Sequence, residues 1–272
     1  MFRTAGIDLA AQPERTALCM IDWSAGARAN LVRLERNLDD EALLEAMAEA
    51  NAVGIDAPFG WPRAFTDTLA EYAATGAWPL GPVGADKAWH LKMRFRTTDR
   101  AVRQLTSETR GVKLSPLSVS SDRIALCAWR AAGLLHRHAV RSGTPFDRSG
   151  QGSALFEAYP AAALASWGLP FKGYKSGSGG AAKKKAAAAK RQDILCAIEA
   201  EAGAWLALDR LPGWREKLTE TDDSLDAFLC ALIAKAAHEG HTAKPEPGQE
   251  RCARDEGWIH VPAPSSLAAL HS

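Results

Sequence analysis

The chain has 272 residues, 47% of them hydrophobic, and a formal net charge of +1, so it can bury one sizeable α/β core but carries no overall basic signature. A nucleic-acid role therefore requires a local basic face and not a basic protein. No apolar run approaches the ~20 residues that span a bilayer. The N-terminus enters a strand-like segment without a signal-peptide pattern, and the five dispersed cysteines, none in a Cys-x-x-Cys, read as reduced thiols of a cytoplasmic protein.

Residues 4–10 predict a short strand and 16–23 a second, separated by the turn-forming Gln12-Pro13-Glu14-Arg15. Alternation of Leu31 and Arg33 with Val32 and Leu34 gives a third strand over 29–36, and the three would form a meander. Asp39 or Asp40 is placed to N-cap a helix through Ala50 with Leu43, Leu44 and Met47 on one face. Ala52-Val53-Gly54-Ile55-Asp56 follows as a short buried strand. From about residue 60 to 150 the pattern changes. Residues 62–74 are helical and stop at Gly76; 78–84, rich in Pro and Gly, are loop; 86–109 carry several cations; 121–141 are helical. This stretch reads as a helical insertion after the fourth strand, inside a single domain covering 1–272. Residues 155–160 read as a fifth strand running into a helix at Ala161. Residues 173–180 are Gly/Ser-rich and flexible, and 183–191 are a strong helix former with a basic surface. A further helix covers about 192–207, and 222–238 form the last, with Leu225, Leu229, Leu232 and Ile233 on its apolar face. Residues 257–262 read as one more strand.

Asp8 and Asp56 stand out among these elements. Each follows Gly-Ile at the C-terminal end of an apolar strand, where α/β sheets bind ligands, and an unpaired buried carboxylate costs several kcal/mol. Neighbouring strands would make the two charges repel. A divalent cation removes that repulsion, and all-oxygen donors favour Mg2+ or Mn2+; the alternative is that each aspartate caps a following turn. Asp223 and Asp226, spaced i, i+3, can project from one side of the first turn of the last helix. The helix dipole accounts for Asp222 or Asp223, but less well for Asp226, which lies among Leu225, Phe228 and Leu229. Glu157 on the fifth strand is either a further ligand or an outward-facing residue. Three or four carboxylates from separate strands and a late helix suit two-metal phosphoryl transfer. The catalytic candidates are thus Asp8, Asp56, Glu157, Asp223 and Asp226, with metal on Asp8, Asp56 and Asp226. Lys92, Arg94, Arg96 and Arg100 are the candidate phosphate contacts, against the alternative of ordinary surface cations. His90, His136 and His138 have no Ser or Cys nucleophile signature.

The element order, with acids at the first strand, the fourth strand and a late helix, resembles the RNase H-like superfamily, a mixed sheet flanked by helices. The ending Asp223-x-x-Asp226-Ala227 looks like the final acidic helix of Holliday-junction resolvases. More narrowly, the sequence is similar to the "domain of unknown function 429" family, described as predicted RNase H-like nucleases. The matching residues are Gly6-Ile7-Asp8-Leu9-Ala10, Gly54-Ile55-Asp56-Ala57-Pro58-Phe59-Gly60-Trp61-Pro62, Arg96-Thr97-Thr98-Asp99-Arg100, Glu157-Ala158-Tyr159-Pro160, Asp223-x-x-Asp226-Ala227 and Glu256-Gly257-Trp258-Ile259. The resemblance implies a Mg2+- or Mn2+-dependent nuclease acting on DNA or RNA, and junction-cutting relatives imply a homodimer. The Arg96 and Glu157 blocks have no counterpart in a minimal RNase H-like core, and with the neutral overall charge they point to a pocket for a substrate other than long DNA. Two other classes compete. A non-catalytic nucleic-acid or protein-binding module would use the basic 183–191 helix. An actin-like ATPase or kinase would need a Gly-rich phosphate turn after the first aspartate, where this chain has Leu-Ala-Ala-Gln-Pro.

Overall fold

The computed structural model describes residues 1–24, 29–78, 87–177, 179–206 and 213–270. Strands β1 (Phe2–Asp8), β2 (Ala17–Trp23) and β3 (Asn30–Arg36) form an antiparallel meander, with a register shift between Met20 and Ile21. Strands β4 (Ala52–Asp56) and β5 (Leu155–Glu157) add in parallel on the far side of β1, so the sheet order is β3-β2-β1-β4-β5. The mixed sheet flanked by helices expected from the sequence is therefore what the chain forms. Central strands covered on both faces read as continuous apolar runs, and β2 is buried at every position. At the edge, β3 places the charged Glu35 and Arg36 in solvent, which discourages pairing with another sheet.

One face of the sheet, through Ile7, Leu18, Met20, Val53 and Ile55, packs on helices α1 (Asp40–Glu49) and α5 (Ala125–Ser142). Asp39 caps α1 by accepting from the Ala42 N–H at 3.0 Å. Between β4 and β5 the chain also forms α2 (Arg63–Thr75), α3 (Lys87–Arg94) and α4 (Thr97–Arg110). The stretch between these strands is not uniform: α5 belongs to the sheet-covering layer, whereas α2 to α4 stand beside it. Positions 79–84 of the expected loop lie outside the described residues. After β5 come α6 (Pro160–Ser166), α7 (Ala181–Ala202), α8 (Trp214–Glu220), α9 (Asp222–His238), α10 (Glu250–Glu256) and α11 (Ser266–Ala269). The sequence suggests a basic segment and a separate helix for 183–207; α7 is instead one continuous helix, since nothing between Lys190 and Asp193 breaks it. Residues 257–262 make only single bridges, Ile259 to Glu157 and Pro262 to Thr242. Strand β5 ends at Glu157 and the chain turns into α6 at Pro160, so no ladder is left for them to extend. No described helix is long and apolar enough to cross a membrane.

The other face packs on α9, with α7 and α8 behind it. Helix α9 is buried from Asp223 through Ala234, as an element that is apolar nearly all round must be. Two glycines let it lie directly on the sheet. A Cβ on Gly6 would fall 2.0 Å from the Ala227 carbonyl oxygen, and one on Gly54 would fall 2.2 Å from that of Cys230. Side chains two apart on a strand share a face, so Asp8 and Asp56 emerge on the same side as these glycines, toward the start of α9.

Candidate active site

Strands β1 and β4 pair in register, Gly6 opposite Gly54, Ile7 opposite Ile55 and Asp8 opposite Asp56. The repeated Gly-Ile-Asp thus delivers two carboxylates side by side at one sheet edge. The close approach of α9 brings the third: one carboxylate oxygen from each of Asp8, Asp56 and Asp226 lies within 4.8 Å of the others. Asp226 is 1% exposed, and Asp8 and Asp56 are partly exposed. Both oxygens of Asp226 are engaged, Oδ1 by the Tyr174 hydroxyl at 2.8 Å and Oδ2 by the Lys175 ammonium at 2.6 Å. Among the described residues, no side chain or backbone N–H bonds the carboxylates of Asp8 and Asp56.

The charge balance shows in the titration. Burial holds Asp8 well above the ordinary carboxylate range, and repulsion from Asp226 and Asp56 adds to it. Burial lifts Asp56 to about 7 against the pull of Lys175, with Asp226 and Glu157 pushing the same way as burial. Asp226 is also raised by burial, with Lys175 and Tyr174 opposing. For Lys175 burial acts downward, but Asp226 and the other acids outweigh it and the ammonium is held well above its usual range. Three carboxylates face one ammonium, so the cluster lacks positive charge. Its donors are all hard oxygens, close enough together for one octahedral Mg2+ or Mn2+ to be shared between them.

The remaining predicted residues fall elsewhere. Glu157 stands on the neighbouring strand, but its carboxylate is clamped by Arg96, Nη2 to Oε1 at 2.7 Å and Nη1 to Oε2 at 2.8 Å, and accepts from the Phe59 N–H at 3.0 Å. Arg96 is 2% exposed. It also bonds Asp99 at 2.9 Å and donates to the Glu256 carbonyl at 3.2 Å, while the Glu256 carboxylate accepts from the backbone of Arg63 and Thr97. The structure therefore corrects two expectations. Arg96 is not a free phosphate contact and Glu157 is not an available ligand, because each neutralises the other in a buried bidentate pair. Several blocks that carry the family resemblance, around Phe59, Arg96, Glu157 and Glu256, converge on this network. Asp223 is not among the three clustered acids either; its oxygens face Arg15 at 3.5 Å and Arg36 at 3.4 Å.

The other three cations do not border the acidic cluster. Lys92 and Arg94 lie exposed on α3, where Arg94 donates to the Ser121 hydroxyl at 3.1 Å and faces Asp122. Arg100, on α4, lines a separate cavity of about 370 Å3 beside Trp258. The acidic cluster opens into a cavity of about 610 Å3 whose wall includes Arg96, Arg123, Tyr159, Phe171, Tyr174 and Lys175. Arg123, Tyr174 and Lys175 were not legible as site residues. The one usable signal was a Gly/Ser-rich loop carrying an aromatic and a lysine, since loops placed by a rigid scaffold often hold function. A protein-family model described as "Protein of unknown function (DUF429)" matches residues 6–250. No curated protein and no solved structure matches the chain.

Proposed function

This chain belongs to the DUF429 family, and we propose that it is a metal-dependent nuclease that hydrolyses phosphodiester bonds at the Asp8, Asp56 and Asp226 cluster. The observation that carries this reading is the meeting of three carboxylates within 4.8 Å, two of them without a bonding partner among the described residues. Mg2+ or Mn2+ would be held by these three side chains. When bound, such a cation polarises a phosphoryl oxygen and lowers the pKa of water. The chain's own residues account for the rest. Tyr174 and Lys175 fix the Asp226 carboxylate. Lys175, half-exposed at the cavity wall, offers its ammonium to the negative charge that grows on a phosphate during attack. In the cation-free protein Asp8 and Asp56 both hold protons more tightly than an ordinary carboxyl, so cation binding is accompanied by proton release.

The test is cleavage of labelled DNA and RNA, single-stranded, duplex and branched, by purified protein with Mn2+. Asp8→Asn and Asp226→Asn are expected to lower the rate roughly a hundredfold or more while leaving the far-UV circular dichroism unchanged. Failure of the wild type to cut any of these substrates, or full activity in Asp8→Asn, would refute the proposal.

A further inference from the structure

The acidic cluster borders a half-open recess. The cavity of about 610 Å3 has apolar and aromatic walls, among them Leu117, Ile124, Tyr159 and Phe171. Leu117 is 56% exposed. The Tyr159 hydroxyl has no hydrogen-bond partner among the described residues. Beside this cavity lies a second, wider groove of about 1110 Å3 bordered by Arg15, Arg36, Lys184 and Arg191. Five cations line it, counting Arg123, against three acids: Asp223 faces Arg15 and Arg36, Asp222 faces Ser176 and Arg191, and the third is the exposed Glu220. The side chains of Lys184 and Arg123 are exposed and, among the described residues, have no hydrogen bond or ion pair. Arg123 borders both spaces. An unpaired guanidinium therefore marks the junction between a recess that gathers carboxylates and a groove with spare positive charge.

We propose that the recess and the groove form one track for a single-stranded nucleic acid, with an unpaired base in the recess against Tyr159 and Phe171 and the adjoining backbone passing Arg123 into the groove. The identity of the reacting phosphate rests on the nuclease reading above; the preference for a single strand rests on shape and charge. A phosphate that reacts at Asp8 and Asp56 must enter the recess. Duplex DNA is a stiff rod with a persistence length of ~50 nm, so bringing one of its backbones down to Asp8 and Asp56, beside Leu117 and Ile124 of the same cavity, costs bending or unpairing. A single strand turns at every backbone torsion. The recess volume lies within the ~300–1,000 Å3 of sites that enclose a small ligand, which suits one nucleotide. Aromatic faces accept any base, so the track discriminates strandedness more than sequence.

Binding of the full chain is measured by fluorescence anisotropy in Ca2+, across a series of salt concentrations. The probes are a labelled single strand of about 12 nucleotides, inside the ~4–16-nucleotide range of such tracks, and its blunt duplex. The single strand is expected to bind at least about tenfold more tightly. Arg123→Gln, at an exposed and unpaired position, is expected to weaken it about fivefold and to reduce the salt slope by about 0.7, the loss of one phosphate contact. Tyr159→Leu is expected to weaken binding without changing the slope. Equal affinity for duplex and single strand, or wild-type affinity and slope in Arg123→Gln, overturns the proposal. The two readings fail separately. A protein that binds in this pattern but cuts nothing with Mn2+ keeps the track and loses the nuclease. One that cuts blunt duplex as fast as single strand keeps the nuclease and loses the track.

Discussion

Replacing Asp56 by asparagine is expected to stabilise the cation-free protein above neutral pH, the opposite of what loss of a well-partnered carboxylate would do. In the folded chain this carboxyl is raised from the ordinary 3.8 to about 7, chiefly by burial. The folded state therefore holds its proton more tightly than the unfolded state. Between those two values the folded protein carries more protons, so stability falls as pH rises, and above about 7 the full penalty persists. At ~1.4 kcal/mol per tenfold change in proton affinity, the ceiling is about 4 kcal/mol. Asparagine has no charge to bury, and its presence also relieves Asp8, which Asp56 repels. Urea unfolding in EDTA, followed by tryptophan fluorescence, checks this. Near pH 4 wild type and Asp56→Asn should agree within ~1 kcal/mol, and near pH 8 the variant should lead by up to ~4 kcal/mol. Mn2+ should narrow that lead, by ~2.7 kcal/mol at a hundred times its Kd and by ~4.1 kcal/mol at a thousand times, because only the form that binds it is stabilised. A variant no more stable than wild type near pH 8 in EDTA would mean that these acids do not crowd one another, and the physical case for a cation would collapse.

Gly6→Ala is expected to cost at least ~3 kcal/mol, because the added methyl would meet backbone atoms of α9 at 2.0 Å; the urea midpoint reports it, and Mn2+ affinity should fall with it as Asp226 is displaced from Asp8. Arg96→Met leaves Glu157 and Asp99 buried without their cation, which is expected to cost ~3–5 kcal/mol near neutral pH and less in acid, where the Glu157 carboxyl, raised by burial, takes up a proton; a midpoint that does not depend on pH would contradict the assigned pairing.

The strands and the two helices that frame the sheet were legible because their periodicities are local. Residues 52–56 and 222–238 form the expected elements at the expected boundaries, since each is an apolar run closed by a turn or a capping residue. Helices α3 and α4 were not foreseen. Their sequences are polar and cationic, and what starts α4 is the Asp99 carboxylate accepting from both the backbone N–H and the guanidinium of Arg96, which is buried against Glu157. That information is tertiary. Residues 257–262 show the converse. Their composition favours a strand, but a strand also needs a partner long enough to pair with, and β5 has only three residues.

The same distinction separates the acids that the structure brings together from those it does not. Asp56 and Glu157 end neighbouring parallel strands, each among apolar residues. A carboxylate in that setting signals that something compensates it, but not what. For Glu157 the compensator is an arginine 61 positions away in the chain, and no local pattern announces that pairing. For Asp8 and Asp56 the only cation within the cluster among the described residues is Lys175, and its ammonium contacts Asp226. One ammonium cannot balance three carboxylates. Burial, with repulsion among the acids added to it, raises the affinities of Asp8 and Asp56 for protons, and a divalent cation from solvent is the compensator that the donor set accepts.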